Sequence, residues 1–341
     1  MALLIGSTMT RLSVDDYTVG WICALFTKLA VAESMLDEIY KIDATLLSRN
    51  AADDNHYTLG RIGSHNIVLV SLPSRSTGSV SAANTFPSIR RSGFGLVVGT
   101  GGGAPSPEND IRLGDVVISE PVGRFGGVIQ YDFGKTEAEG KFRITGHLNR
   151  PPAMLLNAVM GLRSKPEGLI TRSQSTWTSC LNFEQNPRMQ IDCSRHENLV
   201  DQLFSAECQH PLKEPTRTKC NTSELVHRPP RAEEEPVIHY GLMASANQVM
   251  KDGETRDRLT KKENVKCFER EAAGLMNTFP CLVIGRISNY SDSHENKSWH
   301  CYAAAVAGAY AKELLCTMPA GRSILVSKAF MLNIKPTVSQ P

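Results

Sequence analysis

The stretch Phe94-Gly-Leu-Val-Val-Gly-Thr-Gly-Gly-Gly-Ala-Pro105 decides how the rest of the chain is interpreted. Its first six residues are apolar or glycine, which predicts a buried strand over residues 94–99, and the following glycines predict a tight turn. Glycine also lets a ligand approach the backbone closely, so that N–H groups can point at an anion or a sugar. The spacing matches neither a Walker loop nor a dinucleotide fingerprint, so a plain turn and a ligand site both stay open.

Strands and helices alternate on both sides of this stretch. Apolar, β-branched runs predict strands, and apolar residues at helical spacing predict helices. Such alternation predicts an α/β fold with a mostly parallel sheet that is covered on both faces. The predicted strands are 17–24, 116–119, 127–132, 237–245, 265–268 and 281–284, with 57–62 and 66–71 forming a hairpin; the predicted helices are 27–40, 151–162, 252–262, 271–277 and 302–315.

The composition is that of an ordinary globular protein. The 341 residues can bury a large core, and a net charge of +2 gives no reason to expect a nucleic-acid or anionic-membrane partner. No apolar run reaches the roughly 20 residues that cross a bilayer, and the first residues lack the basic start of a secretory signal. The nine cysteines are scattered, and Cys23, Cys267 and Cys281 sit in apolar runs typical of buried, reduced thiols. We therefore expect a cytoplasmic protein.

One long segment differs in character from the rest. Residues 163–235 are polar, contain prolines and lack sustained periodicity, which predicts an insertion or excursion on the surface. We expect one domain over residues 15–318 that contains this insertion, a lead-in over 1–14 and a C-terminal tail over 319–341.

Several polar residues follow predicted strands and are candidates for a site. Asp115 is expected to be a turn or cap residue, and His294 to be a surface histidine. Asn289 and Asp292 follow the strand 281–284, where doubly wound folds place ligands. The acidic residues of 268–276 could accept hydrogen bonds from a ribose or could offset a helix dipole, and both explanations stay open.

No metal site is expected from the sequence. Cys208, Cys220, His210 and His227 do not have a zinc-binding spacing.

Taken in order, these stretches resemble the nucleoside phosphorylase superfamily, which includes purine and uridine phosphorylases and methylthioadenosine/adenosylhomocysteine nucleosidases. The resemblance is strongest to the fungal proteins in which such a domain precedes NACHT, ankyrin or TPR regions. It implies a three-layer α/β/α fold with a central mixed β-sheet, a homo-oligomer, a purine nucleoside as ligand and no cofactor. The matching segments are 17–25, 94–103, 108–117, 130–135, 236–242, 247–253 and 271–276.

The resemblance also implies a set of site residues. The glycine segment, here Thr100, Gly101 and Gly102, is expected beside the sugar or phosphate. The segment that contains Val249 and Met250 is expected along the base.

A Met-Glu pair holds the ribose hydroxyls in the family. Here Glu271 is present, but Arg270 replaces the methionine. The usual Arg-Gly pair before the last site segment reads Gly285-Arg286.

Two departures affect the expected chemistry. Lys28 stands where the family has the glutamate that activates water, and Asn289 stands where it has the aspartate that protonates the purine. An amide cannot deliver a proton, and losing a general acid costs on the order of 10² to 10⁴ in rate. The resemblance therefore leaves three hypotheses: a nucleosidase or phosphorylase with weakened activity, a nucleoside sensor without turnover, and an interaction protein that uses residues 163–235. In a variant of the first hypothesis, Lys28 binds phosphate, which replaces water as the nucleophile.

Overall fold

The computed structural model describes residues 12–23, 26–40, 55–71, 93–165, 193–195, 199–211, 220–232, 235–295 and 297–319. Most of the predicted lead-in and of the predicted tail lies outside these residues. None of the helices in the described part of the chain combines the length and the apolar character that spanning a membrane requires.

A large mixed β-sheet organises the described residues. Its strands are β1 (Val19–Cys23), β2 (Glu38–Tyr40), β3 (His56–Ile62), β4 (His65–Ser71), β5 (Phe94–Gly103), β6 (Val116–Ser119), β7 (Val128–Gln130), β10 (Ile238–Ser245), β11 (Val265–Glu269) and β12 (Cys281–Asn289). Their order across the sheet is β11-β10-β6-β12-β5-β1-β4-β3-β2, and β7 pairs with β10. A separate two-stranded sheet joins β8 (Gly134–Thr136) and β9 (Phe142–Ile144).

The centre of the large sheet is parallel, as the alternation of elements predicts. β4, β1, β5 and β12 run parallel to one another. β12 is antiparallel to β6 on its other side, and β2, β3 and β4 are joined by antiparallel pairings. All five residues of β1 are buried, because a strand covered on both faces has no polar side.

Four helices of at least ten residues pack beside the sheet in the described part of the chain. They are α1 (Phe26–Met35), α2 (Ala153–Arg163), α3 (Gly253–Glu263) and α4 (Trp299–Thr317). α4 is rich in alanine and mostly buried, so it can approach its neighbours closely. A Cβ built on Gly308 would lie 3.1 Å from Met35 Cε and 3.2 Å from Val31 Cγ1, which shows how closely α1 packs on α4.

The structure corrects two of the predicted helices. The predicted helix 27–40 ends at Met35, and Glu38–Tyr40 instead forms β2, in which Ile39 pairs with Gly60. Leu36, one of the apolar residues whose spacing suggested a helix, packs under Gly60 of β3 just before this edge strand begins. The predicted helix 271–277 is only a 3-10 turn over Ala272–Gly274.

Two predicted strands are longer than expected. The strand 94–99 does not turn at its glycines but continues to Gly103, and the strand 281–284 continues to Asn289. The two extensions pair with each other, Gly99 with Gly285 and Gly102 with Asn289. Neither extension is apolar enough to be recognised as a strand from the sequence. The backbone pairing between the two extensions keeps both in strand conformation.

The described parts of the 163–235 segment pack against the domain. Leu199, Leu203 and Phe204 are buried, and a disulfide joins Cys193 to Cys301 of α4. The three thiols predicted to be buried and reduced, those of Cys23, Cys267 and Cys281, are buried and free.

Candidate functional site

A cavity of about 230 Å³ opens where β5, β11 and β12 end. The sequence analysis named nine site residues on five separate segments of the chain, and the structure places all nine on the wall of this cavity. They are Lys28, Thr100, Gly101, Gly102, Val249, Met250, Arg270, Glu271 and Asn289. Their proximity is a fact of the fold and is separate from the roles that the resemblance implies.

Two glycines of β5 are required by the close approach of the neighbouring strands. A Cβ on Gly101 would lie 2.7 Å from the carbonyl oxygen of Phe268, and one on Gly102 would lie 2.0 Å from Ser291 Oγ and 2.7 Å from Asn289 Oδ1. The contact at Gly101 is with backbone and cannot be relieved, whereas a side chain at Gly102 would force Ser291 and Asn289 to move. The glycine segment is therefore a strand that lines a cavity rather than a turn.

Lys28 brings a buried positive charge to the cavity. Its side chain is 7% exposed, and its Nζ lies 3.0 Å from the position that a Cβ on Gly99 would take. It makes no ion pair with another residue of the described chain. A buried ammonium without a paired carboxylate favours an anionic or strongly polar ligand beside it.

Glu269 ends β11 and caps the turn that follows. Its Oε2 accepts hydrogen bonds from the backbone N–H of Glu271 (2.9 Å) and of Ala272 (3.0 Å). Its Oε1 is buried and has no hydrogen-bond partner among the described residues. Burial, together with the nearby charge of Glu271, raises the pKa of Glu269 to about 7. This carboxyl group therefore titrates near neutral pH rather than in acid.

Glu271 is the second carboxyl group of this wall. It is 8% exposed, and its Oε2 accepts a 3.3 Å hydrogen bond from the backbone N–H of Arg270. The two explanations left open for the acidic residues are thus divided. Glu269 holds the N–H groups of the turn, whereas Glu271 faces the cavity with capacity to accept further hydrogen bonds.

Asn289 is oriented by the turn that follows β12. Its Oδ1 accepts a 2.9 Å hydrogen bond from the backbone N–H of Ser291, whose φ is +55°, and its Nδ2 lies 3.4 Å from Ser288 Oγ. With one Nδ2 hydrogen directed at Ser288, the amide keeps the second one to donate to a ligand.

Asp292 and His294 do not line this cavity. Asp292 is buried and accepts a 2.8 Å hydrogen bond from the backbone N–H of His294. Burial acts to raise its pKa, but hydrogen bonds from His294 and the charge of Arg256 outweigh burial and lower it. The prediction of a surface histidine is wrong: His294 is 1% exposed because Phe204 of the 163–235 segment stacks on its ring at 4.0 Å.

Asp115 has more partners than a turn residue needs. It accepts the backbone N–H of Arg112 at 2.8 Å, as a turn residue would. It also contacts both terminal nitrogens of Arg231 at 2.8 Å and His239 Nε2 at 2.9 Å. Burial acts to raise the pKa of Asp115, but hydrogen bonds from Arg231 and His239 outweigh burial and lower it. None of these residues lines the cavity.

Sequence reasoning missed several residues of the cavity wall. His300 comes from α4, and the burial of its ring together with the charges of Lys28 and Lys297 lowers its pKa despite nearby Glu295. No motif pointed to it, because only packing brings α4 to the cavity. For Glu269, the signal was its position two residues before Glu271. The other lining residues not named from sequence are Gln248, Lys251, Phe268, Ser288, Ser291 and Glu295.

Within the ranges that the structure describes, no group of three or more His, Cys, Asp or Glu residues could hold a metal ion.

No protein-family model matches the chain. A nucleotide-binding leucine-rich repeat (NLR)-like protein of Hyaloscypha variabilis is 42% identical over 310 residues, which is 89% of this chain. The chain spans only 30% of the length of that relative.

Solved structures of nucleosidases are similar in fold. The 5'-methylthioadenosine/S-adenosylhomocysteine nucleosidase of Neisseria meningitidis, in complex with methylthio-immucillin-A, has a TM-score of 0.54 at 17% identity over 88% of this chain and 99% of its own. The corresponding S. pneumoniae enzyme, with a transition-state inhibitor, has a TM-score of 0.53 at 16% identity, covering 89% and 100% of the two chains. Futalosine hydrolase of Helicobacter pylori has a TM-score of 0.53 at 13% identity, covering 89% and 97%. The chain therefore has the α/β fold of these nucleosidases.

Proposed function

We propose that the chain binds a purine nucleoside in the cavity at the ends of β5, β11 and β12 and cleaves its N-glycosidic bond at a reduced rate. One observation carries the proposal: nine residues from five distant segments converge on a single cavity that contains a sugar-binding carboxylate candidate, Glu271. The nucleosidases of the same fold that were solved with nucleoside analogues support the choice of ligand.

The cavity suits the two ends of a nucleoside differently. Glu271 would accept hydrogen bonds from the ribose hydroxyls, and the small residues of β5 let the sugar approach the backbone. Val249 and Met250 would pack along the base. Asn289 would donate a hydrogen bond from Nδ2 to a ring nitrogen or a 6-oxo group.

The reduced rate follows from two substitutions in the same cavity. Asn289 cannot deliver a proton to the leaving base, which costs on the order of 10² to 10⁴ in rate. Lys28 cannot act as a carboxylate base, so water is poorly activated. As a buried cation without an ion-pair partner in the described chain, Lys28 would instead hold a phosphate, which makes phosphorolysis the alternative route of cleavage.

A second candidate function is a nucleoside sensor without turnover. It is favoured by the same substitutions and by the NLR-like relative, in which the matching segment is a minor part of a longer protein. In this case binding is retained and the signal is passed to other segments or partners.

The proposal extends to features that accompany this fold in the superfamily. We place the chain in a three-layer α/β/α arrangement, as a homo-oligomer in the cytoplasm, with residues 15–318 as one domain.

Product analysis discriminates between these functions. Pure protein is incubated with adenosine or inosine, with and without inorganic phosphate, and free base is measured. Base without phosphate indicates hydrolysis, and base only with phosphate indicates phosphorolysis. No base together with thermal stabilisation by the nucleoside indicates the sensor. No base and no stabilisation would refute nucleoside binding.

The binding role of Glu271 is tested by Glu271→Gln. We expect an affinity loss of about tenfold or more by calorimetry, because a charged acceptor of ribose hydroxyls becomes a weaker neutral one. Glu254→Gln is the matched control, since Glu254 is exposed on α3 and does not line the cavity. Equal affinity of both variants would contradict the assignment.

Restoring the two carboxylates tests the explanation of the reduced rate. The double variant Lys28→Glu with Asn289→Asp is expected to hydrolyse nucleoside about 10²-fold faster than the natural chain. If the variant binds nucleoside but is no faster, the two substitutions do not limit the rate.

A further inference from the structure

A second cavity of about 210 Å³ shares no lining residue with the first. Its wall combines the segment before β6, described parts of the 163–235 segment and the first turn of α4. Four arginines line it, namely Arg112, Arg195, Arg231 and Arg286, alongside the carboxylates Asp115, Asp201 and Glu235.

Arg286 is fully buried, yet only part of its guanidinium is satisfied. Nη1 donates a 3.0 Å hydrogen bond to the carbonyl oxygen of Tyr302, and the group lies 4.1 Å above the ring of the same tyrosine. Nε and Nη2 are buried and have no hydrogen-bond partner in the described chain. A buried charged donor without a partner is strongly unfavourable, so this pair of N–H groups indicates a missing acceptor.

Arg286 belongs to the wall of the cavity, and its two unpartnered nitrogens lie on one side of the guanidinium. Nη2 lies 3.0 Å from the position of a Cβ on Gly114, which is itself on the cavity wall, and Gly114 has a φ of +93°. The absence of a side chain there leaves room for the guanidinium. Nε and Nη2 form one side of the guanidinium, whose two parallel N–H groups match the two oxygens of a carboxylate or phosphate.

Two other arginines of this wall form ion pairs with carboxylates of the protein. Arg231 binds Asp115, and Arg112 pairs with Asp110 at 2.9 Å. Asp201 is likewise occupied, because Arg228 Nη2 lies 2.6 Å from its Oδ2. The charge of Asp115 still acts favourably on Arg286, but no carboxylate of the described residues forms an ion pair with its guanidinium.

Glu235 is the remaining carboxylate of the wall. It makes no ion pair with any residue of the described ranges. Its charge opposes the entry of an anion, so the donors of Arg286 must outweigh this repulsion.

The start of α4 adds to the positive character of the cavity. Trp299 and Tyr302 are in the first turn of this 19-residue helix, so the positive end of the helix dipole lies beside the cavity. The indole Nε1 of Trp299 is buried and, like the two nitrogens of Arg286, has no acceptor among the described residues.

We propose that this second cavity binds a small oxyanion, a carboxylate or a phosphate group, held by two parallel hydrogen bonds from Nε and Nη2 of Arg286. The site does not depend on nucleoside binding at the first cavity. It rests on the Gly285-Arg286 order of this chain, which is the reverse of the Arg-Gly order in the resembling family.

Nuclear magnetic resonance of the indole N–H groups tests the proposal on the whole chain. The protein has three tryptophans, and Trp299→Phe identifies the signal of Trp299. Inorganic phosphate and, separately, citrate are titrated at constant ionic strength. We expect at least one of them to shift the Trp299 signal in a saturable manner and to raise the melting temperature.

Variants separate the two cavities. Arg286→Met should abolish the shift, and Arg286→Lys, which keeps the charge but loses the paired donors, should weaken binding about tenfold or more. Glu235→Gln should tighten binding by removing a repelling charge. Lys28→Met removes the cation of the first cavity and should leave the response of Trp299 within about twofold.

Three results would overturn the proposal. They are no saturable shift with either anion, a shift that Arg286→Lys leaves unchanged, and a shift that disappears in Lys28→Met. If Arg286→Met does not fold, Arg286→Lys and Glu235→Gln still decide the outcome.

Discussion

Replacing Glu269 by glutamine isolates the energetic cost of a buried carboxyl group at the cavity wall. Glutamine has nearly the shape of the protonated acid and can still accept the two backbone hydrogen bonds that Glu269 Oε2 receives. Unlike glutamate, it never ionises. The difference in stability between the natural chain and Glu269→Gln therefore reports the ionisation of this one group.

The sign and size of the effect follow from the pKa of Glu269. Burial and the charge of Glu271 raise it from its ordinary value of 4.5 to about 7 in the folded chain. Between these values the folded state binds more protons than the unfolded state, so the contribution of Glu269 to stability falls as pH rises. The rise corresponds to about 3 kcal/mol, lost between about pH 4.5 and pH 8.

Urea unfolding between pH 5 and pH 8 measures this contribution. We expect Glu269→Gln to gain about 2 to 3 kcal/mol on the natural chain over this range, since titrating groups that do not interact with Glu269 cancel in the difference. Glu271→Gln should reduce the pH dependence of the natural chain, because it removes the neighbouring charge. Glu254→Gln, on the exposed face of α3, should show no such trend. A constant difference between Glu269→Gln and the natural chain would refute the reasoning.

Three further predictions concern stability and packing. Asp115→Asn should lower the free energy of unfolding by about 3 to 5 kcal/mol, because it leaves an arginine and a histidine facing a neutral group, and an unchanged urea midpoint would contradict this. Gly102→Ala should lower the free energy of unfolding by about 1 to 3 kcal/mol and weaken nucleoside binding, since its Cβ would lie 2.0 Å from Ser291 Oγ. The control is Gly161→Ala on α2, where nothing lies within 4 Å of the new Cβ, and calorimetric melting should show it to be neutral or stabilising. Asp252→Ala should lower the free energy of unfolding by about 1 kcal/mol, because the side chain accepts the backbone N–H of Thr255 at 2.8 Å as the N-cap of α3. This difference in stability should vanish in acid, as the pH falls through the lowered pKa of Asp252.

Local patterns predicted the elements whose residues all face one environment. The hairpin of β3 and β4 was recognised because both strands are apolar and meet at Gly63, whose φ is +55°. β1 was recognised because it is apolar throughout. The edge strand β2 was predicted as helix, because its three residues lie at the end of a longer stretch with helical apolar spacing. Nothing in that spacing indicates that β3 supplies a backbone partner.

The candidate site was named from a resemblance, and the structure shows which parts of its wall no linear pattern contains. Thr100, Glu271 and Asn289 lie in motifs that follow predicted strands, so their order along the chain already suggested a common edge of the sheet. His300 and Glu269 owe their position to the packing of α4 and to the 3-10 turn after β11. Their altered pKa values arise from burial and from charges brought close by folding.

The sequence by itself determined the α/β character and most of the central strands, because these depend on residue type and on neighbours along the chain. Only the tertiary structure decided that the glycine segment continues as a strand, that His294 is covered by Phe204, and that Arg286 is buried with two unpartnered nitrogens. These features depend on which distant segments meet, and burial and hydrogen-bond satisfaction are properties of those meetings rather than of any one stretch of sequence.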